Sequence, residues 1–103
     1  MAIVKANRRR KKGVYRSKNW SVYVLRCADT TLYTGISNNV MRRLKKHNNG
    51  SGAKYITEKR RPVSLVYEES GFNYGQALKR ERKIKSMAKA GKEALVRRQA
   101  ERS

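Results

Sequence analysis

Between Trp20 and His47 the apolar period changes from two residues to 3.6, and that switch constrains the fold more than any other feature. Trp20, Ser21, Val22, Tyr23, Val24, Leu25, Arg26 and Cys27 alternate and are rich in β-branched and aromatic side chains, the pattern of a half-buried strand. Ala28, Asp29 and Thr30 supply a turn, and Thr31 to Ile36 read as the returning strand of a hairpin. From Ser37 the spacing is helical: Val40, Leu44 and His47 share one face. Ser37 or Asn38 can cap this helix, and Asn48, Asn49 and Gly50 end it.

Val22-Tyr23-Val24, then Tyr33-Thr34-Gly35, then Arg43-Leu44, His47 and a later helical Glu81 form an ordered set of polar groups able to converge. This set resembles the GIY-YIG endonuclease domain from about Trp20 to Val96, and is most like its small stand-alone members. Val22 and Thr34 stand where the motif names have isoleucine, and Ser21 where the first has glycine; both tyrosines and the second glycine are kept. The resemblance implies an α+β fold: a small three-stranded antiparallel sheet flanked by helices, in the order β-β-α-β-α-α. It also implies a metal-dependent endonuclease hydrolysing DNA phosphodiesters, structure-selective and linked to repair or recombination. The implied catalytic residues are Tyr23, Tyr33, Arg43, His47 and Glu81, with Gly35 making space and Glu81 holding Mg²⁺ or Mn²⁺. Tyr23 is the implied base, although a phenol of pKa ~10 needs help from nearby cations to act near neutrality. His47 would accept or relay a proton, or orient Tyr23; Tyr33 would position phosphate or water; Arg43 would fork onto phosphate oxygens.

Loop length decides whether the two tyrosines can share a site. If Asp29 and Thr30 alone formed the loop, Tyr23 and Tyr33 would lie on opposite faces of the sheet. An odd loop such as Ala28 to Thr30, or a bulge, pairs Cys27 with Thr31, Leu25 with Tyr33 and Tyr23 with Gly35; this is the predicted register. Gly35 then leaves room beside the Tyr23 ring. Spacing alone would equally suit ordinary strand tyrosines. On the helix, Arg43 and His47 project from one side, while Arg42 and Lys46 form a second pair suited to general phosphate contact.

The chain has 103 residues, with 27 Lys plus Arg against 7 Asp plus Glu and a net charge of +20. That excess points to a polyanion, nucleic acid before an anionic membrane. No apolar run approaches the ~20 residues of a spanning helix, and no secretory signal is recognisable. Cys27 is the single cysteine, which excludes an internal disulfide and fits a small core residue in a reducing, cytoplasmic setting, nucleoid-associated if bacterial. Residues 1–19 hold eight basic residues and no acid, and are expected to form a disordered arm, either one whose Arg8, Arg9 and Arg10 contact phosphates or a solvated tail. Residues 20–100 form the expected nuclease domain, itself strongly basic. The expected partner is DNA, branched or nicked, with RNA left open; no membrane is expected, and the protein would be a monomer or weak dimer. A non-catalytic basic nucleic-acid-binding protein that keeps the fold is the competing reading.

Past the first helix, Gly50 to Gly52 read as a flexible link and Ala53 to Glu58 as a short helical turn, whose Lys54, Tyr55 and Thr57 suit a strand-binding groove or, equally, a plain surface loop. Val63, Leu65, Val66 and Tyr67 form the third strand, and Glu68 and Glu69 balance charge where it exits. A long helix is expected over Tyr74 to Ala90, with Ala77, Leu78, Ile84 and Ala88 facing inward and Gly91 breaking it. Lys92 to Gln99 resume with Ala94, Leu95 and Val96 as a docking face. Glu81 falls on the inward face. A buried carboxylate without a partner is costly, so it requires a metal or an ion pair with Lys85 or Arg43.

Overall fold

The computed structural model describes residues 17–102, so Arg8, Arg9 and Arg10 and nearly all of the basic arm lie outside the described residues. Strands β1 (Trp20–Arg26) and β2 (Leu32–Ser37) are followed by helix α1 (Val40–Asn48) and a 3₁₀ turn (Glu58–Arg60). Strand β3 (Ser64–Phe72) and helices α2 (Tyr74–Lys85) and α3 (Lys89–Arg102) complete the order β-β-α-β-α-α. The sheet is antiparallel with strand order β2-β1-β3, the expected α+β architecture.

The hairpin closes through the odd loop. Cys27 N–H donates to the Thr31 carbonyl at 2.8 Å and Thr30 N–H to the Cys27 carbonyl at 2.9 Å, leaving Ala28 to Thr30 as the turn. Thr30 takes the left-handed position of such loops (φ 70°), where glycine is usual. Asp29 braces it by accepting from both the backbone and the hydroxyl of Thr31. The resulting register pairs Leu25 with Tyr33 and Tyr23 with Gly35, as the shared-face argument requires.

Because β1 is central, both of its faces are covered; it is a fully buried strand rather than a half-buried one. Tyr23, Leu25 and Cys27 pack with Val40, Ile56 and Val63 on the α1 side. Val22 and Val24 pack with Tyr67, Ala77 and Ile84 on the other, where Leu95 and Val96 of α3 also dock. Trp20 meets Tyr74 edge-to-face at 4.8 Å.

Several boundaries differ from the expected ones. Asn39, not Ser37 or Asn38, caps α1 by accepting from Arg42 N–H, while the Ser37 hydroxyl accepts from Asn39 N–H. The long helix stops at Lys85, where Ser86 caps it and its hydroxyl donates to the Lys83 carbonyl. Ala88 is therefore exposed and outside α2, and Gly91 lies within α3 rather than breaking a helix. β3 runs on to Phe72, so Glu68 and Glu69 are strand residues. Glu69 is no idle charge: Arg80 grips it with two bonds at 2.8 and 2.9 Å, and Tyr67 also donates to it. Burial works to raise the Glu69 carboxyl, but the Arg80 and Tyr67 bonds outweigh it and leave the group below the usual range. The side chain of Gln99 closes the outer edge of β3 by pairing with both main-chain groups of Glu68, at 2.9 and 2.7 Å.

Candidate active site

Tyr23 stands at the middle of the buried central strand and faces α1, with Tyr33 two residue pairs along on β2 and so on the same face. Their rings lie 6.4 Å apart between centroids. Gly35, opposite Tyr23, is what lets the phenol settle there. A Cβ at residue 35 would fall 2.7 Å from Tyr23 Oη and 3.1 Å from the Tyr33 ring, closer than real Cβ contacts allow.

His47 enters from the last turn of α1 and is wholly buried (0% exposed). Its Nε2 lies 2.9 Å from Tyr23 Oη, and its ring meets Tyr33 edge-on at 5.2 Å. The other ring nitrogen fixes the tautomer. Ala53 main-chain N–H can only donate, and it points at Nδ1 from 3.2 Å. Nδ1 is therefore the acceptor, so the neutral ring carries its proton on Nε2 and donates to Tyr23. Of the roles open to His47, orienting the phenol fits; taking its proton does not, because Nε2 already holds one.

The loop that makes this contact depends on Gly52. A Cβ there would sit 2.3 Å from His47 Nδ1 and 2.7 Å from its Cα. Gly52 and Ala53 were not among the expected site residues. A glycine five residues after a histidine has no motif signature, and only the folded loop reveals the close approach.

Burial pushes the Tyr23 hydroxyl up to about 12, and the neighbouring Tyr33 adds to this; the Arg43 guanidinium pulls back through a hydrogen bond and its charge, and Glu81 raises it slightly. Burial and Arg43 both lower His47, which keeps the imidazole neutral, as the Ala53 contact requires. Arg43 thus reaches the phenol from α1, half-buried at the edge of the apolar face, while Arg42 is exposed.

Glu81 projects from α2 with its side chain only 17% exposed, and Lys85 lies 3.3 Å away as an i,i+4 partner. Arg43 is not its ion-pair partner among the contacts formed. The Lys85 side chain is 53% exposed, and a helical pair of this kind contributes only ~0.3–0.5 kcal/mol. That is too little to hold the carboxylate against a divalent cation. No cluster of three or more His, Cys, Asp or Glu exists among the described residues. A single carboxylate completed by phosphate oxygens and water still suits Mg²⁺, which keeps most of its ligands from outside the protein.

Arg42, Arg43 and Lys46 line one cavity of about 270 Å³ with Ser37, Asn38 and Asn39, and no acid borders it. Tyr33 and Tyr55 border a second, of about 370 Å³, together with Leu32, Thr34, Lys85 and Lys92. Of the three residues of the 53–58 turn considered for a groove, Tyr55 borders this cavity. Lys54 and Thr57 are exposed and do not border that cavity.

A family model described as the GIY-YIG catalytic domain matches residues 19–94. UPF0213 protein NP_0776A of Natronomonas pharaonis is 53% identical over 75 residues, covering 73% of this chain and 87% of its own. The UPF0213 protein of Syntrophus aciditrophicus is 49% identical over 87 residues, covering 84% and 98%. The solution NMR structure of the protein EF2693 from E. faecalis aligns with a TM-score of 0.52 at 37% identity, over 75% of this chain and 81% of that one.

Proposed function

The chain belongs to the GIY-YIG catalytic domain family, an endonuclease superfamily, and from that premise we propose that it hydrolyses DNA phosphodiester bonds with a divalent metal. The observation that carries the proposal is the buried Tyr23–His47 bond with its tautomer set by Ala53. A histidine fixed as a donor toward a phenol oxygen is suited to stabilising that oxygen as it gains negative charge. The Arg43 guanidinium acts on the same phenol and draws its pKa down against the effect of burial, and Tyr33 lies beside it.

In this reading Tyr23, as phenolate, takes the proton of the attacking water, while His47 and Arg43 hold the negative oxygen beforehand. Arg43 also meets the non-bridging oxygens of the phosphate. Mg²⁺ or Mn²⁺ on Glu81 would supply positive charge to the phosphate and to the departing 3′ oxygen. Arg42 and Lys46, with Lys54 further out, contact the backbone beyond the cut, and the N-terminal arm with Arg8, Arg9 and Arg10 adds sequence-neutral affinity. Nicked or branched DNA, in repair or recombination, is the proposed substrate.

The Glu81–Lys85 pair is what favours the competing reading of a non-catalytic binder. Nicked, flapped, branched and duplex DNA incubated with Mg²⁺ or with chelator decide between them. Cutting by the wild-type protein in Mg²⁺ alone is expected, and Glu81→Ala should abolish it while keeping salt-sensitive binding. No cutting of any substrate would leave the binder.

A further inference from the structure

β2 is an edge strand, and the cavity of about 370 Å³ lies along its unpaired side. Cys27 and Thr31 form a hydrogen-bonded pair, so by alternation Tyr33 and Gly35 turn their main-chain groups toward β1. Leu32 and Thr34 then turn theirs outward, into the cavity they line. One wall carries the Tyr33 and Tyr55 rings, stacked 5.9 Å apart; the other carries the ammonium groups of Lys85 and Lys92, from α2 and α3. No acid is among the lining residues.

Tyr55 is 41% exposed, yet it is fixed in place. The Arg60 guanidinium covers its ring at 4.0 Å and donates to its carbonyl at 3.0 Å, and Asp29 anchors Arg60 in turn at 3.0 Å. The part of the ring left exposed is ordered in advance, so a ligand packing on it costs little further side-chain entropy. The cavity also adjoins the proposed active site, since Tyr33 belongs to both and Lys85 is the partner of Glu81.

We infer that this cavity receives the unstacked base of the nucleotide next to the scissile phosphate, resting against Tyr33 and Tyr55 while Lys85 and Lys92 hold the adjoining backbone. The outward N–H and C=O groups of Leu32 and Thr34 meet the base edge. An unpaired base enters directly, whereas a paired one must first leave its stack, so the cut falls beside unpaired nucleotides. The Lys92 ammonium, with no acid among the lining residues, favours this anionic occupant over an extended peptide adding to the β2 edge. The inference rests on the nuclease reading for the word scissile, but base binding itself does not.

Amide NMR titration of the full chain in chelator, with a trinucleotide and with its abasic analogue carrying the same phosphates, tests the inference. The trinucleotide should shift Thr34, Tyr55 and Lys92 and bind about tenfold more tightly than the abasic analogue. Tyr55→Ala should close most of that gap, Tyr55→Leu part of it, and Lys92→Gln should weaken both ligands alike. Equal affinity for the two, shifts confined to Arg42, Arg43 and Lys46, or preferential binding of an uncharged extended peptide at the same residues would overturn it. Base-dependent binding without any Mg²⁺-dependent cutting would sink the nuclease reading and leave the pocket standing; cutting with base-independent binding would do the reverse.

Discussion

A phenol raised to about 12 is almost wholly protonated at neutral pH, so Tyr23 sets how the proposed reaction must respond to pH. With Tyr23 as the base, kcat should climb with pH at a slope near one through the mildly alkaline range; a plateau set by a group titrating below the ordinary imidazole value would shift the role to His47. Stability carries the opposite sign. The unfolded phenol ionises near 10 and the folded one near 12, so the unfolded state holds fewer protons in that window. A contribution of roughly 3 kcal/mol is then present below pH ~10 and lost as pH rises toward ~12. His47 is held low, so its contribution is present above the ordinary imidazole value of 6.5 and is lost as pH falls below it. Melting temperature against pH, for wild type and for Tyr23→Phe and His47→Gln, checks both limbs. Gly52→Ala should force His47 off Tyr23, lowering kcat by about 100-fold at nearly unchanged DNA affinity. An unchanged kcat would mean the Ala53 contact positions nothing.

The elements differ in how openly they declare themselves. The β1–β2 register was legible because Tyr23, Tyr33 and Gly35 can share a site through only one class of loop. The end of α2 was not. Nothing in Lys85-Ser86-Met87-Ala88 forbids a helix, and the break comes where Ser86 bonds back to Lys83 and the chain turns to bring Leu95 and Val96 onto the second cluster. Gly91 is accommodated inside α3 because helices tolerate glycine at a cost of only ~1 kcal/mol. Gln99 was likewise illegible, since a glutamine near a helix end carries no sign that it will complete a strand edge. Gln99→Ala leaves both main-chain groups of Glu68 without that partner and should destabilise the protein by about 1–3 kcal/mol in a denaturant titration. A change below ~0.5 kcal/mol would show that water replaces the amide there.

Across the whole molecule, a charge of +20 makes binding salt-dependent whatever the chemistry. If Arg8, Arg9 and Arg10 each neutralise one phosphate, removing the arm should flatten the slope of log K against log salt by about 2.7 without changing the cleavage position. An unchanged slope would leave the arm no part in binding. The order of strands and helices and the hairpin register follow from local periodicity and short-range spacing, and Tyr23, Tyr33, Gly35, Arg43 and His47 carry the family resemblance, so these were legible in the chain alone. The tautomer of His47, the need for glycine at residue 52 and the pocket beside β2 were decided only in three dimensions. Each joins groups from different elements or across a loop, and contacts of that kind leave no period in the chain.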